Sequence, residues 1–577
     1  MKKGPSKRPS TQAQKMARAK ATFKRKIRSI FTGAGFTYLP TGGHEMFVGR
    51  RKVEVDALFI YENVWLLCED TLKTTNVRDH IRTKHEAFNE IRGDLPTFIR
   101  ALAELFPEQQ ALFDRYMPDR ICLFCLYIPS TELDLTEDDR ALFSGLTFVQ
   151  PRTLNYFNWI VQAIKRSARN EIFRFLGLKS SDIGLSRSSC LTNQISAPII
   201  YPQEFTGTRN NVRVVSFMMS AQDLLDTCYV LRKDNWEESM WLYQRLIEKK
   251  KLQNIRESLI ERGETFYNNI IVALPDSVTF RDADGQYKDI TKIDALTGNC
   301  QMILPREMNS LCVIDGQHRI FAHYESGTDS PQEQRIAALR KQLHLLVTGL
   351  VFPPEMSAGE RARIQSDIFL GINMNAKLVP QNVILQIKRI LAPTEGESLA
   401  QYVLEKLDRE GIFYRLFQLS SLDDAPIKTA SIVQYGLKPL VTASPTRERP
   451  SLFDHWDGDK AAFQALDSAA IDAYVQFCAS TLRCYFSAIK RHLARYWDDR
   501  NAKLLSVISI NGFITAFTRQ LPVNGVRDFS FYDEKFRNWD FDFSREGFPY
   551  TSSQYKKFST RILEEVFGFS PEEASAL

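Results

Sequence analysis

Two acidic residues are the first candidates for chemistry in this sequence. Asp56 lies in a β-strand predicted at 52–60, and Glu69 lies at the end of the next strand, predicted at 63–68, with a tight turn expected at Tyr61–Glu62. A hairpin of this length brings two carboxylates together at adjacent strand ends. Carboxylates are ligands that Mg²⁺ accepts, and Mg²⁺ commonly assists phosphodiester cleavage. The pattern therefore predicts a magnesium site, and the alternative is a surface hairpin with ordinary charges.

A lysine is the third component expected of such a site. The acidic pair resembles the PD-(D/E)xK restriction-endonuclease fold, in which an acid precedes an E-x-K tripeptide and the lysine helps to polarise the phosphate. Thr71 stands where that lysine is expected. Alternation of side chains along a strand makes Lys73 one substitute. Lys84, on the following helix, predicted at 77–91, is the preferred one, because members of this fold can carry the lysine there. Glu54 or Glu45 could supply a further acid, and a degenerate site would bind DNA without cutting it.

The most informative run in the chain is Asp315, Gly316, Gln317, His318 and Arg319. It follows an apolar predicted strand and opens a predicted helix. Gly316 permits a sharp turn and close approach of a ligand to the backbone. Helix N-terminal amides attract anions, Arg319 offers a fork of donors to phosphate, and His318 donates or accepts near neutral pH. The run predicts a phosphate site, and the alternative is an ordinary strand-to-helix turn.

This pentapeptide resembles the signature of the DGQHR-domain proteins, a bacterial group associated with DNA phosphorothioation and deazaguanine DNA-modification islands. Three further segments resemble the flanking motifs of that group in the expected order: Tyr243–Arg245, Phe266–Pro275 and Phe369–Val379. The resemblance covers about residues 200–390, with a helical C-terminal part that also looks family-like. Similar proteins carry an N-terminal nuclease-like domain, which agrees with the acidic pair.

The turn is also similar to the ParB/sulfiredoxin nucleotide-binding fold, in which a G-x-H-R turn holds nucleotide phosphates. This likeness implies phosphate contacts from Gly316, His318 and Arg319, with Asp315 orienting the turn or assisting a metal. Gln317 stands where sulfiredoxin has its catalytic cysteine, which excludes sulfinic acid repair. A second set of polar contacts to ATP or CTP is expected from Asn373, Asn375 and Lys377. Helix capping and turn formation are the alternative roles of those three.

The N-terminus is strongly basic. Residues 1–30 contain eleven Lys or Arg and no acid, whereas the whole chain has a net charge of +6. A Pro/Ser/Lys-rich opening cannot bury enough apolar surface to order itself, so residues 1–22 are predicted to form a flexible arm suited to DNA phosphates. The candidate DNA contacts are Lys2, Lys3, Lys7, Arg8, Lys24, Arg25 and Lys26. A solubilising tail is the alternative.

Three regions must position these residues. A chain of 577 residues, 44% hydrophobic and 25% charged, can form several packed domains. Element order predicts a restriction-endonuclease-like α/β domain at 23–185. Alternating strands and helices predict a ParB/sulfiredoxin-like α/β DGQHR domain at 200–390, after a polar boundary at 186–202. Long amphipathic segments predict a mainly helical C-terminal region at 391–577.

Several classes of protein are excluded by the sequence pattern. No run approaches the roughly 18 apolar residues of a membrane span, and no apolar stretch follows the basic N-terminus as in a secretory signal. Nine cysteines, an odd number in a long chain, favour reduced thiols. We therefore expect a soluble cytoplasmic protein with no membrane contact. No P-loop, Rossmann fingerprint or G-x-S-x-G elbow is present, so nucleotide chemistry must run without a Walker motif.

Three functions compete on these grounds. The preferred one is a nucleotide-dependent DNA-processing protein of a bacterial DNA-modification or anti-phage system, which hydrolyses ATP or CTP to gate nicking or assembly. The second is a DNA-binding regulator without catalysis. The third is a Mg²⁺-dependent endonuclease or nickase whose DGQHR part recognises modified DNA. A homo-oligomer with other proteins of such a system as partners is expected.

Overall fold

The computed structural model describes residues 12–49, 51–184, 192–196, 198–232, 235–237, 242, 244–282, 284–290, 300–373, 392–419, 423, 425–446, 450–499, 501–551 and 554–576. The architecture is mixed α/β with a helical C-terminal region, which confirms the predicted class at that level. The chain divides into two compact units, residues 1–238 with 246–357, and residues 239–245 with 358–577. The predicted region at 23–185 lies in the first unit, whereas residues 239–245 and 358–390 of the predicted region at 200–390 belong to the second unit.

A five-stranded mixed sheet, here called the N-terminal sheet, lies in the first half of the first unit. Its region contains α1 (Gln12–Gly33), β1 (Thr37–Leu39), β2 (Met46–Val48), β3 (Arg51–Val53), β4 (Ala57–Tyr61), β5 (Val64–Thr71), α2 (Val77–Gly93), α3 (Leu95–Leu105), α4 (Gln110–Phe113), β6 (Cys122–Pro129), α5 (Glu137–Leu142), β7 (Thr147–Phe148), α6 (Pro151–Ile164) and α7 (Arg169–Phe175). The strand order is β1-β4-β5-β6-β7. The pairs β1–β4 and β4–β5 are antiparallel, whereas β5–β6 and β6–β7 are parallel. The single strand predicted at 52–60 is in fact two strands, β3 and β4.

Strand β5 lies in the middle of this sheet and is buried along its whole length. On one face, Trp65 belongs to an apolar cluster with Phe88 of α2 and Phe98 of α3. On the other face of the sheet, Phe59 of β4 contacts Phe31 of α1 at 4.8 Å between ring centroids. Cover on both faces explains the continuous apolar run at the start of β5. The strand nevertheless ends in acidic residues that stay buried, and buried charges require partners.

Helix α1 corrects the expectation of a flexible arm through residue 22, because the helix begins at Gln12. Its first half is rich in Ala, Lys, Arg and Gln, all of which favour helix. Ile27, Ile30 and Phe31 are buried and anchor the second half of the helix. Residues 14–22 present exposed side chains. The proposed DNA contacts Lys2, Lys3, Lys7 and Arg8 lie outside the described residues.

A six-stranded sheet, here called the central sheet, forms the second half of the first unit. Its region contains β8 (Thr192–Ser196), β9 (Ile199–Tyr201), α8 (Gln203–Thr206), β10 (Arg213–Ser220), α9 (Ala221–Thr227), β11 (Cys228–Tyr229), α10 (Lys249–Arg262), β12 (Ile270–Ala273), β13 (Thr279–Arg281), β14 (Tyr287–Lys288), β15 (Gln301–Pro305), β16 (Leu311–Asp315), α11 (Gln317–Phe321), α12 (Pro331–Gln342) and β17 (His344–Val351). The strand order is β11-β16-β12-β17-β10-β9, beside a four-stranded sheet of order β14-β13-β15-β8 that the sequence pattern did not predict. The two halves contact each other directly, since Ser180 N donates to Glu307 Oε1 at 2.6 Å and Arg166 N donates to Glu325 O at 3.0 Å.

The second unit is helical apart from a pair of two-residue strands in its described part. It contains α13 (Ala358–Asn373), α14 (Gly396–Arg409), β18 (Phe417–Gln418), β19 (Ile427–Lys428), a π-helix (Ile432–Leu437), α15 (Lys438–Val441), α16 (Lys460–Gln464), α17 (Ser468–His492), α18 (Ala494–Trp497), α19 (Val507–Asn524), α20 (Phe529–Phe536), α21 (Tyr555–Glu565) and α22 (Pro571–Ala576). Helices α17 and α19 supply much of its apolar core, including Tyr485 and Phe513. Among the helices of the described ranges, none has the length and apolar character to cross a membrane.

Candidate functional site

Three carboxylates and two lysines meet where β4 begins and β5 ends. We call this group the acid–lysine cluster; it comprises Lys24, Asp56, Glu69, Asp70 and Lys84. The antiparallel pairing of β4 with β5 opposes Ala57 to Cys68, which places Asp56 beside Glu69 and Asp70. Because successive side chains of a strand point to opposite faces, Glu69 and Asp70 face different helices.

Glu69 faces helix α2, where two residues one helical turn apart reach it. Lys84 Nζ lies 2.8 Å from Glu69 Oε2, and His80 Nε2 lies 3.5 Å from Glu69 Oε1. The other ring nitrogen of His80 shares a hydrogen bond of 2.8 Å with the hydroxyl of Tyr127 on β6. Of the two lysines predicted as substitutes for the position of Thr71, the structure therefore brings Lys84 to the acid.

Asp70 faces helix α1, from which Lys24 reaches two carboxylates. Lys24 Nζ lies 2.6 Å from Asp56 Oδ1 and 3.6 Å from Asp70 Oδ2. The second oxygen of Asp56 accepts a hydrogen bond from the backbone N–H of Asp70 at 3.1 Å. The remaining oxygen of Asp70, Oδ1, is buried and has no hydrogen-bond partner among the described residues. Sequence reasoning missed Asp70, although it follows Glu69 directly, and placed Lys24 among the DNA contacts.

Burial and mutual repulsion give the acids of the cluster different pKa values and therefore different protonation states. Burial, followed by the charge of Asp56, raises the pKa of Glu69 to about 8 and that of Asp70 to about 6. Burial opposes ionisation of Asp56 too, but the hydrogen bond and charge of Lys24 outweigh it and lower the pKa of Asp56. Burial, then the charges of Lys73 and Lys84, lower the pKa of His80 to about 4. At neutral pH the cluster thus holds a carboxylate at Asp56, a largely protonated Glu69 and a neutral imidazole.

The acids of the cluster offer oxygen atoms, the ligand type that a hard divalent cation such as Mg²⁺ accepts. In the described part of the chain no group of three or more His, Cys, Asp or Glu side chains is placed to hold a metal ion. Mg²⁺ does not require such a cage, because it usually retains several waters and binds one or two carboxylates together with substrate phosphates. Asp56 and Glu69 would supply those carboxylates, and the unpartnered buried oxygen of Asp70 shows that the site has more acceptors than the protein satisfies.

Other residues considered for this site lie apart from the cluster. Lys73 is exposed, and its backbone N–H donates to Thr71 Oγ1 at 3.1 Å. Glu45 pairs with Lys52 at 2.7 Å, and Glu54 Oε1 accepts from the backbone N–H of Gly43 at 2.9 Å. The side chains of these two acids thus have partners outside the cluster, although the backbone carbonyl of Glu54 accepts a hydrogen bond from Lys84 Nζ at 3.5 Å.

Two predicted DNA contacts on α1 differ in environment. Arg25 is exposed, whereas Lys26 Nζ donates a hydrogen bond to Asn155 of α6. With Lys24 committed to the acids, the exposed cations of the described helix are Lys15, Arg18, Lys20, Arg25 and Arg28. The helix therefore carries an accessible basic surface of a different composition from the predicted one.

The DGQHR turn connects β16 to α11, as the sequence pattern predicted. Gly316 adopts φ +100°, and a Cβ there would lie 3.0 Å from the Ile270 side chain, so glycine is favoured for conformation and for space. Arg319 pairs with Asp315 at 2.7 Å. His318 Nε2 accepts from the backbone N–H of Glu248 at 3.0 Å, and His318 is buried. Asp315 and His318 thus contact protein groups in this arrangement.

A fully buried arginine holds Gln317 in place. Arg232 Nε donates to Gln317 Oε1 at 3.3 Å, and its Nη1 donates to Tyr156 of α6 at 3.1 Å and forms an ion pair with Glu171 of α7. Arg232 is 0% exposed. This contact ties the DGQHR turn to helices that border the N-terminal sheet, and sequence reasoning missed it because Arg232 carries no motif.

Arg319 faces a cleft formed by α10 and the segment that follows it. The cleft has a volume of about 300 Å³, and its lining includes Arg262, Tyr267 and Arg319. Arg319 Nε is buried without a hydrogen-bond partner in the described part of the chain, and Tyr267 is 91% exposed. Asn375 and Lys377 lie outside the described residues, as does the side chain of Asn373, the last residue of α13.

Comparison of the chain with family models, with curated proteins and with solved structures gives no match.

Proposed function

We propose that this chain nicks or cuts DNA with the acid–lysine cluster, assisted by Mg²⁺, and that a nucleotide bound at the DGQHR turn controls this activity. The observation that carries the proposal is the contact of Lys84 with Glu69, beside Asp56, at the carboxyl end of β5. In chain order, this domain has α1, three strands of the N-terminal sheet (β1, β4 and β5), α2 and then β6. This arrangement of two acids and a lysine is the one that the resemblance to restriction endonucleases implies.

Each residue of the cluster has a part in this proposal. Asp56 and Glu69 would hold Mg²⁺, which supplies Lewis-acid stabilisation of a phosphate when bound. Lys84 would neutralise charge that develops on the phosphate, and burial of its partner Glu69 strengthens that electrostatic effect. His80, neutral at physiological pH, holds Tyr127 and completes the wall of the site without acting as a cation.

A nicking assay on supercoiled plasmid tests this function. Wild-type protein with Mg²⁺ or Mn²⁺ is expected to produce open circles, and Asp56→Asn and Lys84→Met should each reduce the rate by about 10²-fold or more. Glu45→Gln is the matched control, since Glu45 is an exposed acid of the same region with a lysine partner. Equal nicking by wild type and Asp56→Asn would refute the assignment.

Nucleotide binding at the DGQHR turn is the second part of the proposal, and it rests on the buried, unpaired Nε of Arg319 beside the cleft. An anion there would give Arg319 its missing acceptor, with Arg262 as a second cation. Binding of ATP and CTP measured by calorimetry should be lost in Arg319→Ala and kept in Arg209→Ala, an exposed arginine of the same unit. Phosphate release that depends on Arg319 would show that the bound nucleotide is also hydrolysed. The resemblance to DGQHR-domain proteins implies such a role in a DNA-modification or anti-phage system. If both nucleotides bind Arg319→Ala normally, this part is wrong.

A further inference from the structure

We propose that Lys24 is an internal counter-ion that competes with the divalent cation for the acid–lysine cluster, and that DNA bound along α1 relieves this competition. The inference rests on the proposed function, since it concerns regulation of the same site. It assigns to α1 a role in metal loading that neither the acidic pair nor the resemblance indicates.

The first observation is the position of the Lys24 ammonium group. It contacts Asp56 at 2.6 Å and lies 3.6 Å from Asp70, so one positive charge serves two carboxylates. A divalent cation held by Asp56 would be repelled by this ammonium at close range, where the attraction or repulsion of unit charges is large. While Lys24 stays in place, metal affinity is therefore reduced.

The second observation is that the site keeps an unsatisfied acceptor even with Lys24 present. Asp70 is 7% exposed, and its Oδ1 has no hydrogen-bond partner among the described residues. The single ammonium group of Lys24 thus leaves one oxygen of these acids without a partner. This unpaired acceptor oxygen indicates a second cation at the site, and a divalent ion carries more positive charge than a lysine.

The third observation is that Lys24 belongs to a helix open to a polyanion. The side chain of Lys24 is 36% exposed. Toward the N-terminus, residues 14–22 are exposed and include the basic residues Lys15, Arg18 and Lys20. A DNA backbone on this surface offers Lys24 phosphates in place of Asp56, and each phosphate contact is favoured by counterion release. Withdrawal of Lys24 would leave Asp56 free for the metal when substrate is present.

Metal affinity of the full chain tests the inference without any activity readout. After removal of metals with EDTA, Ca²⁺ and Mn²⁺ binding is measured by calorimetry for wild type, Lys24→Met, Lys24→Arg and Lys52→Met. Lys24→Met should bind about tenfold tighter or more than wild type, because a nearby positive charge is gone. Lys24→Arg keeps the charge and should resemble wild type. Lys52→Met is the matched control, because Lys52 pairs with an acid at the surface.

A DNA arm of the same experiment tests the gating. With Ca²⁺ and a short duplex, wild-type affinity for the cation should rise, whereas Lys24→Met should gain clearly less. Weaker or unchanged metal binding by Lys24→Met overturns the inference, as does an equal gain from DNA in both proteins. Amide hydrogen exchange of β5 checks that the variant is folded.

The outcomes separate this inference from the proposed function. If Asp56→Asn abolishes metal binding and Lys24→Met does not tighten it, the proposed site stands and the competition is wrong. If neither wild type nor Lys24→Met binds metal, the proposed function itself fails and the inference fails with it.

Discussion

Replacing Glu69 by Gln should stabilise the metal-free protein at alkaline pH. The pKa of Glu69 is raised from 4.5 to about 8, chiefly by burial and then by Asp56. Between these two pH values the folded protein holds a proton that the unfolded chain has released, so stability falls as pH rises through this window and levels off above it. Gln cannot ionise and resembles the protonated acid, so the variant escapes that loss.

The magnitude follows from the size of the pKa shift. One pKa unit corresponds to 1.36 kcal/mol, which gives roughly 3 to 5 kcal/mol for the full shift of Glu69. The side chain of Glu69 is 5% exposed, so screening by solvent takes little from this value. The pKa already includes the favourable charge of Lys84, and the net effect on the ionised acid remains unfavourable. At alkaline pH the free energy of unfolding of Glu69→Gln is therefore expected to exceed that of wild type, although the ion pair with Lys84 is lost.

Hydrogen exchange of the β5 and β6 amides, read by mass spectrometry in EDTA, measures this effect within the first unit. Glu69→Gln and wild type should be similarly protected at pH 5. At pH 9 the variant should exchange more slowly by on the order of 10²-fold to 10³-fold. Glu45→Gln, at an exposed ion pair, should follow wild type at every pH. Faster exchange of Glu69→Gln at pH 9 would show that ionised Glu69 stabilises the sheet through Lys84, and the reasoning would be refuted.

Three further predictions concern the cations of the first unit. Lys84→Met should lower single-turnover nicking by about 10²-fold or more, and Lys84→Arg should restore part of it; full activity in Lys84→Met would remove this residue from the site. Gln in place of Lys15, Arg18 and Arg25 together should reduce the slope of log K against log salt by about 2 to 3 in DNA-binding anisotropy if all three meet phosphates, and an unchanged slope would exclude α1 as the contact surface. Arg232→Met should destabilise the first unit by about 3–5 kcal/mol in thermal unfolding, because Glu171 is left charged and buried without its partner. Adding Glu171→Leu should recover much of that loss, and failure to do so would mean that packing, not charge, explains the damage.

The sequence sufficed to find β5, which carries Glu69, and the helix that carries Lys84, but it merged β3 and β4, between which Asp56 lies, into one strand. Apolar runs bounded by a tight turn and a helical pattern over 77–91 give these elements, and the observed hairpin and α2 (Val77–Gly93) agree with them. Side-chain alternation indicated Lys73, and the resemblance to the endonuclease fold indicated Lys84 as the preferred substitute for a lysine at position 71. Only the packed structure shows that α2 lies close enough to bring Lys84 within 2.8 Å of Glu69.

The contacts of Lys24 and Arg232 could not be predicted from the sequence, because both depend on long-range packing. Lys24 lies among many similar basic residues, and its pairing with Asp56 arises from the placement of α1 across the sheet. Arg232 meets Glu171 and Gln317 across large separations in sequence. The composition of residues 1–22 indicated a flexible arm over that whole range. Helix propensity and the buried residues Ile27 and Phe31 instead stabilise a helix that begins at Gln12.

Glu69 and Asp70 are neighbours on a strand that helices cover on both faces, so their lysine partners can be substituted separately. Each acid takes its lysine from a different layer, Glu69 from α2 and Asp70 from α1. Change in one helix need not disturb the partner of the other acid, so the two layers can diverge independently. If the proposed function and the inference on Lys24 hold, loss of Lys84 would lower catalysis, whereas loss of Lys24 would change metal binding. The two adjacent acids would then belong to separately variable parts of the site.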